Sequence, residues 1–588
     1  MNVIPAVLAG LTASCAAAFF VAGFNWRREN CVWHSFSKKD ARAAAVITLL
    51  YALLAFTGLG DSRTPESPYV FPVRGDSFVA ELAEPAGVSL LRWYAGPTAG
   101  ACTVEFSEDG ESWSEQKALE QDYRTVLKWN SLETSGERTK YIRVTCVSGA
   151  PLYLTELAAF GPDGEQRTLT GGAGATDEQE LAAAEPSRLN GSYFDEIYHV
   201  RTAWEHINGI KPYEITHPPL GKLIISLGIR LFGLNPFGWR FMGTLFGCLM
   251  LPVMYLLLKS MFGSSAAAAG GTVIFALDFM HFVQTRIATI DTYGVFFVLL
   301  MYACMYRYFT LPPDAPVKKT LLPLFFCGLF FGAGAASKWT VLYGGAGLAV
   351  IWLLRQIYCL RRRKDKARYL AATVLWSLLF FVLVPAAIYC LAYIPYVRAE
   401  GAKLFGAEHF RIILDNQKYM LNYHGGLTAT HPYQSEWWQW VLDIRPILYY
   451  LRYFGDGTRS AFGAWGNPMF WWSGMLSMVI MVFKTVRGDK KAAFILCGWL
   501  SQLLPWVVIS RCAFIYHYFP CTVFLAAAMC YVMCDIHRRS RKLFLPVAAA
   551  ATGLCAGLFA LFYPVLTGTV CSARLSALWR WFGGMWPF

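Results

Sequence analysis

The sequence predicts a polytopic α-helical membrane protein of about twelve spans, with one β-sandwich inserted on the extracytoplasmic side. Three observations carry this. Of 588 residues, 55% are hydrophobic and only 15% charged, whereas soluble domains carry roughly 25% charged residues, and the mean hydropathy is +0.37. Twelve apolar runs approach the length of about 20 residues that a helix needs to cross a hydrocarbon core of ~30 Å. Basic clusters recur after every second run. A disordered chain and an ordinary cytosolic enzyme are both excluded.

The runs fall at 3–23, 43–60, 237–262, 264–281, 288–308, 320–336, 339–356, 370–394, 467–486, 491–510, 514–534 and 543–566. The first lacks a basic leader and a small-residue cleavage site, so it is expected to be a retained helix. Arg27, Arg28, Lys38, Lys39 and Arg42 follow the first run, Lys259 the third, and Arg307, Lys318 and Lys319 the fifth. Arg355 and the basic stretch 361–368 follow the seventh. Lys484, Arg487, Lys490 and Lys491 follow the ninth, and Arg538, Arg539, Arg541 and Lys542 the eleventh. Under the positive-inside rule these loops are cytoplasmic, which puts both termini and the long loops outside a cell membrane. The net charge of +13 is then topological, and nucleic acid is not needed as a partner to explain it. The 16 cysteines show no metal-binding spacing and read as small core residues. Cys102 and Cys146 lie in the large polar segment and are open to pairing in an oxidising compartment.

Six regions result: two helices in 1–60, a β-rich insert at 68–170, a linker with amphipathic helices at 171–236, a transmembrane core at 237–394, an outer loop at 395–466, and a four-helix region at 467–588. Strands at 88–96, 101–107, 140–147 and 152–160 are rich in β-branched and aromatic residues. They are punctuated by Glu108-Asp109-Gly110 and Pro162-Asp163-Gly164, where Asp-Gly supplies the turn geometry. With Ser107 to Trp113 and Tyr141-Ile142-Arg143-Val144, the insert resembles the discoidin, or galactose-binding-like, family. That resemblance leaves sugar binding and a scaffold role both open.

The chemistry concentrates after the linker. Asp195 and Glu196 form an acidic pair; His217-Pro218-Pro219-Leu220-Gly221-Lys222 follows, and Arg240 opens the next span. Arg286 to Asp291, Ser337-Lys338-Trp339 and Arg511 to Pro520 follow at the outer ends of later runs. In this order and on one face, these segments resemble the protein O-mannosyltransferase family of GT-C glycosyltransferases. The resemblance spans roughly 190–566 and implies a polyprenyl-phosphate sugar donor, with mannose as the sugar. It further implies Ser or Thr hydroxyls of an extracytoplasmic protein as acceptor, and inversion in a single displacement. The β-rich insert, and the lack of a β-trefoil in the later outer loop, depart from the eukaryotic pattern and leave the acceptor open to a lipid or cell-wall glycan.

The residues suit that reaction on physical grounds. A carboxylate must take the acceptor proton, and Asp195 and Glu196 are the candidate catalytic pair: Asp195 as the base, and Glu196, about 100° away on a helix, as a second catalytic carboxylate or one that orients its neighbours. Cations must offset the leaving phosphate, and Lys222, Arg240, Arg286, Lys338 and Arg511 are the candidates at the outer face. His217, Tyr516 and His517 are candidates to line the pocket, and Asp291 to pair with Arg286. The outer loop with His424, His431 and Trp437, Trp438 and Trp440 covers the site, stacks on sugar or forms an interfacial belt. Glu196-Ile-Tyr-His199 has the spacing found on di-metal helices, but such a site also needs further inward-facing Glu residues from other helices, and no metal or other cofactor is expected. A transporter is disfavoured because no internal repeat is visible and the polar residues gather at one face.

Overall fold

The computed structural model describes residues 3–24 and 31–588; Arg27 and Arg28 of the first basic cluster lie outside the described residues. The chain opens with α1 (Val3–Gly23) and α2 (Lys38–Phe56). The insert follows as β1 (Tyr69–Phe71), β2 (Ser77–Gly87), β3 (Leu90–Ala95), β4 (Gly100–Ser107), β5 (Lys117–Gln121), β6 (Lys128–Glu133), β7 (Arg138–Ser148), β8 (Leu152–Phe160), β9 (Gln166–Arg167) and β10 (Leu169–Thr170). Then come α3 (Glu196–Asn208), α4 (Leu220–Phe232), α5 (Pro236–Phe262), α6 (Ser265–Ala276), α7 (Phe279–Gln284), α8 (Asp291–Phe309), α9 (Val317–Ser337) and α10 (Val341–Leu360). A long apolar stretch, α11 (Lys366–Ala399), precedes the outer-loop helices α12 (Ala407–Gly426) and α13 (Trp437–Leu442) and the hairpin β11 (Ile447–Tyr453) and β12 (Thr458–Ala464). The chain continues with α14 (Pro468–Val486), α15 (Lys490–Val508), α16 (Phe519–Arg539) and α17 (Arg541–Thr567).

Among the described residues, ten helices are long and apolar enough to cross a membrane. The two remaining expected spans are shorter or more charged. α2 starts on Lys38-Lys39-Asp40. The expected span 264–281 is broken: α6 has 12 residues, about 18 Å at 1.5 Å per residue, and ends where the buried Asp278 accepts hydrogen bonds from Asn467 N and Trp471 Nε1, both at 3.0 Å.

The chain divides into two compact units: Met1–Thr57, Ile215–Leu223 and Gly243–Phe588 form one, and Gly58–Glu214 with Ile224–Met242 the other. In the first, α16 is the central helix, and every residue from Phe519 to Ile536 is buried. Its apolar surface suits either lipid or protein neighbours, and the small and sulfur-bearing side chains of Cys521, Ala526, Ala527, Cys530 and Cys534 let other helices approach closely enough to cover it.

The second unit contains two antiparallel sheets, ordered β1-β8-β3-β6, with β9 beside β8, and β10-β2-β7-β4-β5. Their inward residues, among them Leu91, Trp93, Val104, Ile142, Val144 and Leu154, share one core. Alternation of buried and half-buried positions along β7 is the two-residue period of a strand with one face on the core. Cys102 and Cys146 lie directly opposite each other in register on β4 and β7, as buried free thiols. The sandwich does not hang from a loose linker. Ser192, three residues before Asp195, donates its backbone N–H to Leu127 O (2.9 Å) and its hydroxyl to Val126 O (2.7 Å), and Trp204 of α3 packs edge-on against Tyr153, 5.7 Å between centroids. Gly191 permits this approach: a Cβ there would fall 2.4 Å from Lys128 Cβ.

Candidate active site

The acidic pair splits at the start of α3. Phe194 takes a left-handed conformation (φ 49°), uncommon for a bulky residue and typical of functional turns. The helix then begins, and successive residues diverge by about 100°. Glu196 points inward and is wholly buried. Asp195 is half-buried, and its side chain does not cap the helix.

Glu196 is held by Arg240, itself without exposed surface. Nε donates to Oε1 and Nη2 to Oε2, both at 2.7 Å. The remaining donors close on the backbone: Nη1 on Leu59 O (2.9 Å) and Arg188 O (2.8 Å), Nη2 on Gly191 O (2.9 Å). The guanidinium also lies over the Tyr193 ring, at 4.7 Å. Two expectations are corrected here. Arg240 is not a phosphate ligand, because a guanidinium has five N–H groups and all are engaged. Glu196 is a positioning residue and not a second base, since its carboxylate is spent on a bidentate buried pair.

In the other unit, several predicted residues gather. Lys338 Nζ pairs with Asp291 Oδ1 at 2.5 Å and lies 5.5 Å from the Tyr516 ring. Asp291 therefore pairs with Lys338, and not with Arg286 as expected. Tyr516 stacks on His517 (4.6 Å), which in turn contacts Trp506 (4.3 Å) and Trp440 (5.9 Å). A small cavity is bounded by Asp291, Gly294, Thr340, Tyr516 and His517. His217 faces His424 with ring centroids 5.2 Å apart, and Lys222 donates to His217 O at 3.0 Å. Arg511 lies 5.9 Å from the Trp506 ring. Burial, and then His217, Arg511 and Lys338, push His424 down to about 4.

Arg286 does not join this group. Its Nε donates to Ala55 O (2.9 Å) and its Nη2 to Thr57 O (2.7 Å), so it closes the open carbonyls at the end of α2, an ordinary use of a basic side chain. Two of its donors are thereby spent on backbone carbonyls, unlike the cations around Tyr516 and His517.

His424 is a member that the sequence placed only in a covering loop. Its signal was periodic: on α12, His409, Ile413, Asn416 and Met420 are the buried positions, and His424 continues the three-and-four spacing. Asn416 donates to Ile215 O (2.8 Å) and His424 Nε2 contacts Thr216 O (2.9 Å), which fixes α12 along the segment that carries His217. Glu156, Asp177 and Glu178 lie close enough to share an ion. However, Glu156 accepts the N–H groups of Leu157 and Glu178, and Glu178 those of Glu66 and Ser67, so this trio ties loops together.

Comparison with known proteins agrees with this architecture. Residues 234–397 match the family described as dolichyl-phosphate-mannose-protein mannosyltransferase, and residues 409–585 the C-terminal four-helix region of protein O-mannosyltransferase. The polyprenol-phosphate-mannose–protein mannosyltransferase of Mycobacterium tuberculosis is 27% identical over 457 residues, which is 66% of this chain and 85% of that protein. The enzyme of the same description from Corynebacterium glutamicum is 23% identical over 57% of this chain and 76% of its own length. The Saccharomyces cerevisiae protein O-mannosyltransferase Pmt1-Pmt2 complex, solved with its sugar donor, shares the fold with a TM-score of 0.59 at 13% identity, over 67% of this chain and 89% of that one. The fold and the matched segments define a multi-span membrane glycosyltransferase of the GT-C class. The chain belongs to the protein O-mannosyltransferase family.

Proposed function

We propose that this chain transfers mannose from a polyprenyl-phosphate donor to Ser or Thr hydroxyls of proteins on the extracytoplasmic face, with Asp195 as general base. The acceptor oxygen attacks the anomeric carbon as its proton passes to Asp195. The bond from that carbon to the phosphate oxygen breaks, polyprenyl phosphate leaves with the electron pair, and the anomeric centre inverts. Within the other unit, Lys338, Arg511 and the histidines around them form a cluster of the kind that offsets a departing phosphate. Lys222 supports the cluster through the His217 carbonyl.

One observation carries the division of labour: of two adjacent carboxylates, Glu196 is wholly buried on a saturated arginine, whereas Asp195 is only half-buried. The donor's lipid also has a fitting place. An apolar cavity of about 290 Å³ is lined by Met305, Phe331, Leu348, Trp352, Phe381 and Val382. Phe331 stands seven residues before Lys338 on α9, about 10 Å along the helix, so a tail lying there is within reach of a phosphate at Lys338. The basic loops support the orientation, with the site and both termini outside the cytoplasm.

The test is reconstitution of the purified chain with polyprenyl-phosphate mannose and a Thr-containing peptide, with the product read by mass spectrometry and by anomer-specific glycosidases. A mannosylated, inverted peptide is expected from the wild type and none from Asp195→Asn. Normal turnover by that variant removes Asp195 as the base, and, in parallel reactions offered lipid and glycan acceptors, transfer to those alone removes the protein acceptor.

A further inference from the structure

Asp195 does not stand alone on α3. Three positions on, Tyr198 is shared by two near-parallel ring pairs, with Tyr123 at 6.0 Å and 21° and with Tyr213 at 6.5 Å and 10°. Guanidinium groups flank the outer rings: Arg124 lies 5.3 Å from the Tyr123 centroid and Arg201 4.1 Å from that of Tyr213. Tyr123 is 36% and Tyr213 49% exposed. Three separate segments build this face: the turn between β5 and β6, helix α3, and the loop toward α4. Each is fixed. Tyr213 N–H donates to Glu205 Oε2 (2.6 Å), whose Oε1 holds Arg201 Nε (3.0 Å), and the Tyr123 turn is closed by Asp122, which accepts from Arg124 N (2.7 Å).

We propose that this tyrosine row is the binding platform for the acceptor polypeptide. An extended Ser- or Thr-bearing segment lies across α3 so that one hydroxyl reaches Asp195. The proposal rests on the reading of Asp195 as base. Side chains on one face of an extended chain recur every ~6.6 Å, close to the 6.0 and 6.5 Å between rings. Rigid aromatic faces give contact area at little cost in side-chain entropy, while hydroxyl and guanidinium N–H groups suit the unpaired carbonyls of an extended peptide. An interfacial belt of tyrosines at lipid headgroups needs neither parallel rings nor a contribution from the sandwich. The insert thereby acquires a role in the reaction: through Tyr123 it supplies part of the acceptor face.

The test uses the full chain in detergent with synthetic Thr peptides, varying peptide and donor separately. Tyr123→Ala, Tyr198→Ala and Tyr213→Ala should each raise the peptide KM by about tenfold, as expected for an aromatic contact buried on binding, with the donor KM at its wild-type value; Phe at the same positions should recover most of the loss, the ring contact being kept and the hydroxyl not. Unchanged peptide KM in all three alanine variants overturns the proposal. So does a rise in the donor KM instead, which would assign the row to lipid, or a fall in kcat with both KM values fixed, which would make it a prop for α3. Asp195→Asn run alongside keeps the two readings apart, since its turnover tests the base and the peptide KM of the tyrosine variants tests the platform.

Discussion

Replacing Glu196 by Gln separates the clamp from the chemistry. The substitution keeps the volume and one acceptor oxygen, but leaves the Arg240 guanidinium, with no exposed surface, without a counter-charge. Removing one partner of a buried pair costs ~3–5 kcal/mol, because the remaining charge keeps its desolvation penalty. The carbonyls of Leu59, Arg188 and Gly191 still face Arg240, which places the cost near the lower end, about 3 kcal/mol. For a unit of this size that corresponds to a loss of roughly 10 °C in Tm. Two of those carbonyls belong to the stretch leading into α3, so Asp195 loses its fixed position and transfer falls together with stability. Asp195→Asn behaves in the opposite way: it keeps the shape of a half-buried side chain and should cost less stability than Glu196→Gln, about 1 kcal/mol or below, while transfer falls ~10²–10⁴-fold with the loss of a general base. Thermal unfolding in detergent and initial transfer rates, measured on both variants, decide the matter. Glu196→Gln with wild-type melting and turnover refutes the clamp; Asp195→Asn melting far below wild type refutes the split of roles.

The Lys338–Asp291 pair allows a test by opposite signs. Lys338→Gln should weaken donor binding by about tenfold through loss of a charge-assisted contact, and Asp291→Asn, which frees Lys338 from its partner, should tighten it; equal weakening by both in a donor-binding titration would make the pair purely structural. His424 gives a pH dependence. Its folded-state value of about 4 lies below the ordinary 6.5, so its contribution to stability is complete above pH 6.5 and is lost as pH falls toward 4. At 1.36 kcal/mol per unit the full shift bounds the loss at about 3.4 kcal/mol, and solvent screening of a side chain that is only partly buried brings it to about half of that or less. His424→Phe should flatten melting curves across that window, and an unchanged acid slope would contradict the placement of His424 among His217, Arg511 and Lys338.

What the sequence disclosed and what it hid follow from the range of the interactions concerned. Spans are legible because hydropathy sums over some 20 consecutive residues, and α12 is legible because its buried positions obey a helical period that runs on to His424. The break at Asp278 is not, because its partners Asn467 and Trp471 arrive from about 190 residues away. The acidic pair lies between these cases. Helix geometry requires Asp195 and Glu196 to diverge, so only one can face inward, but nothing local says which. That is settled by Arg240, 44 residues beyond Glu196, whose donors are saturated by carbonyls from two further segments. An arginine at the head of a span therefore looks available for phosphate until its partners are in place, and the same reasoning applies to Arg286 on the carbonyls of Ala55 and Thr57. The tyrosine row is the extreme case. Tyr123, Tyr198 and Tyr213 show no common spacing, and their parallel rings exist only because Ser192 fastens the sandwich to the entry of α3 while Glu205 fastens the following loop to its end. A platform assembled in this way can differ between family members that keep the acidic pair, so acceptor preference can change through Tyr123 and its turn without disturbing Asp195.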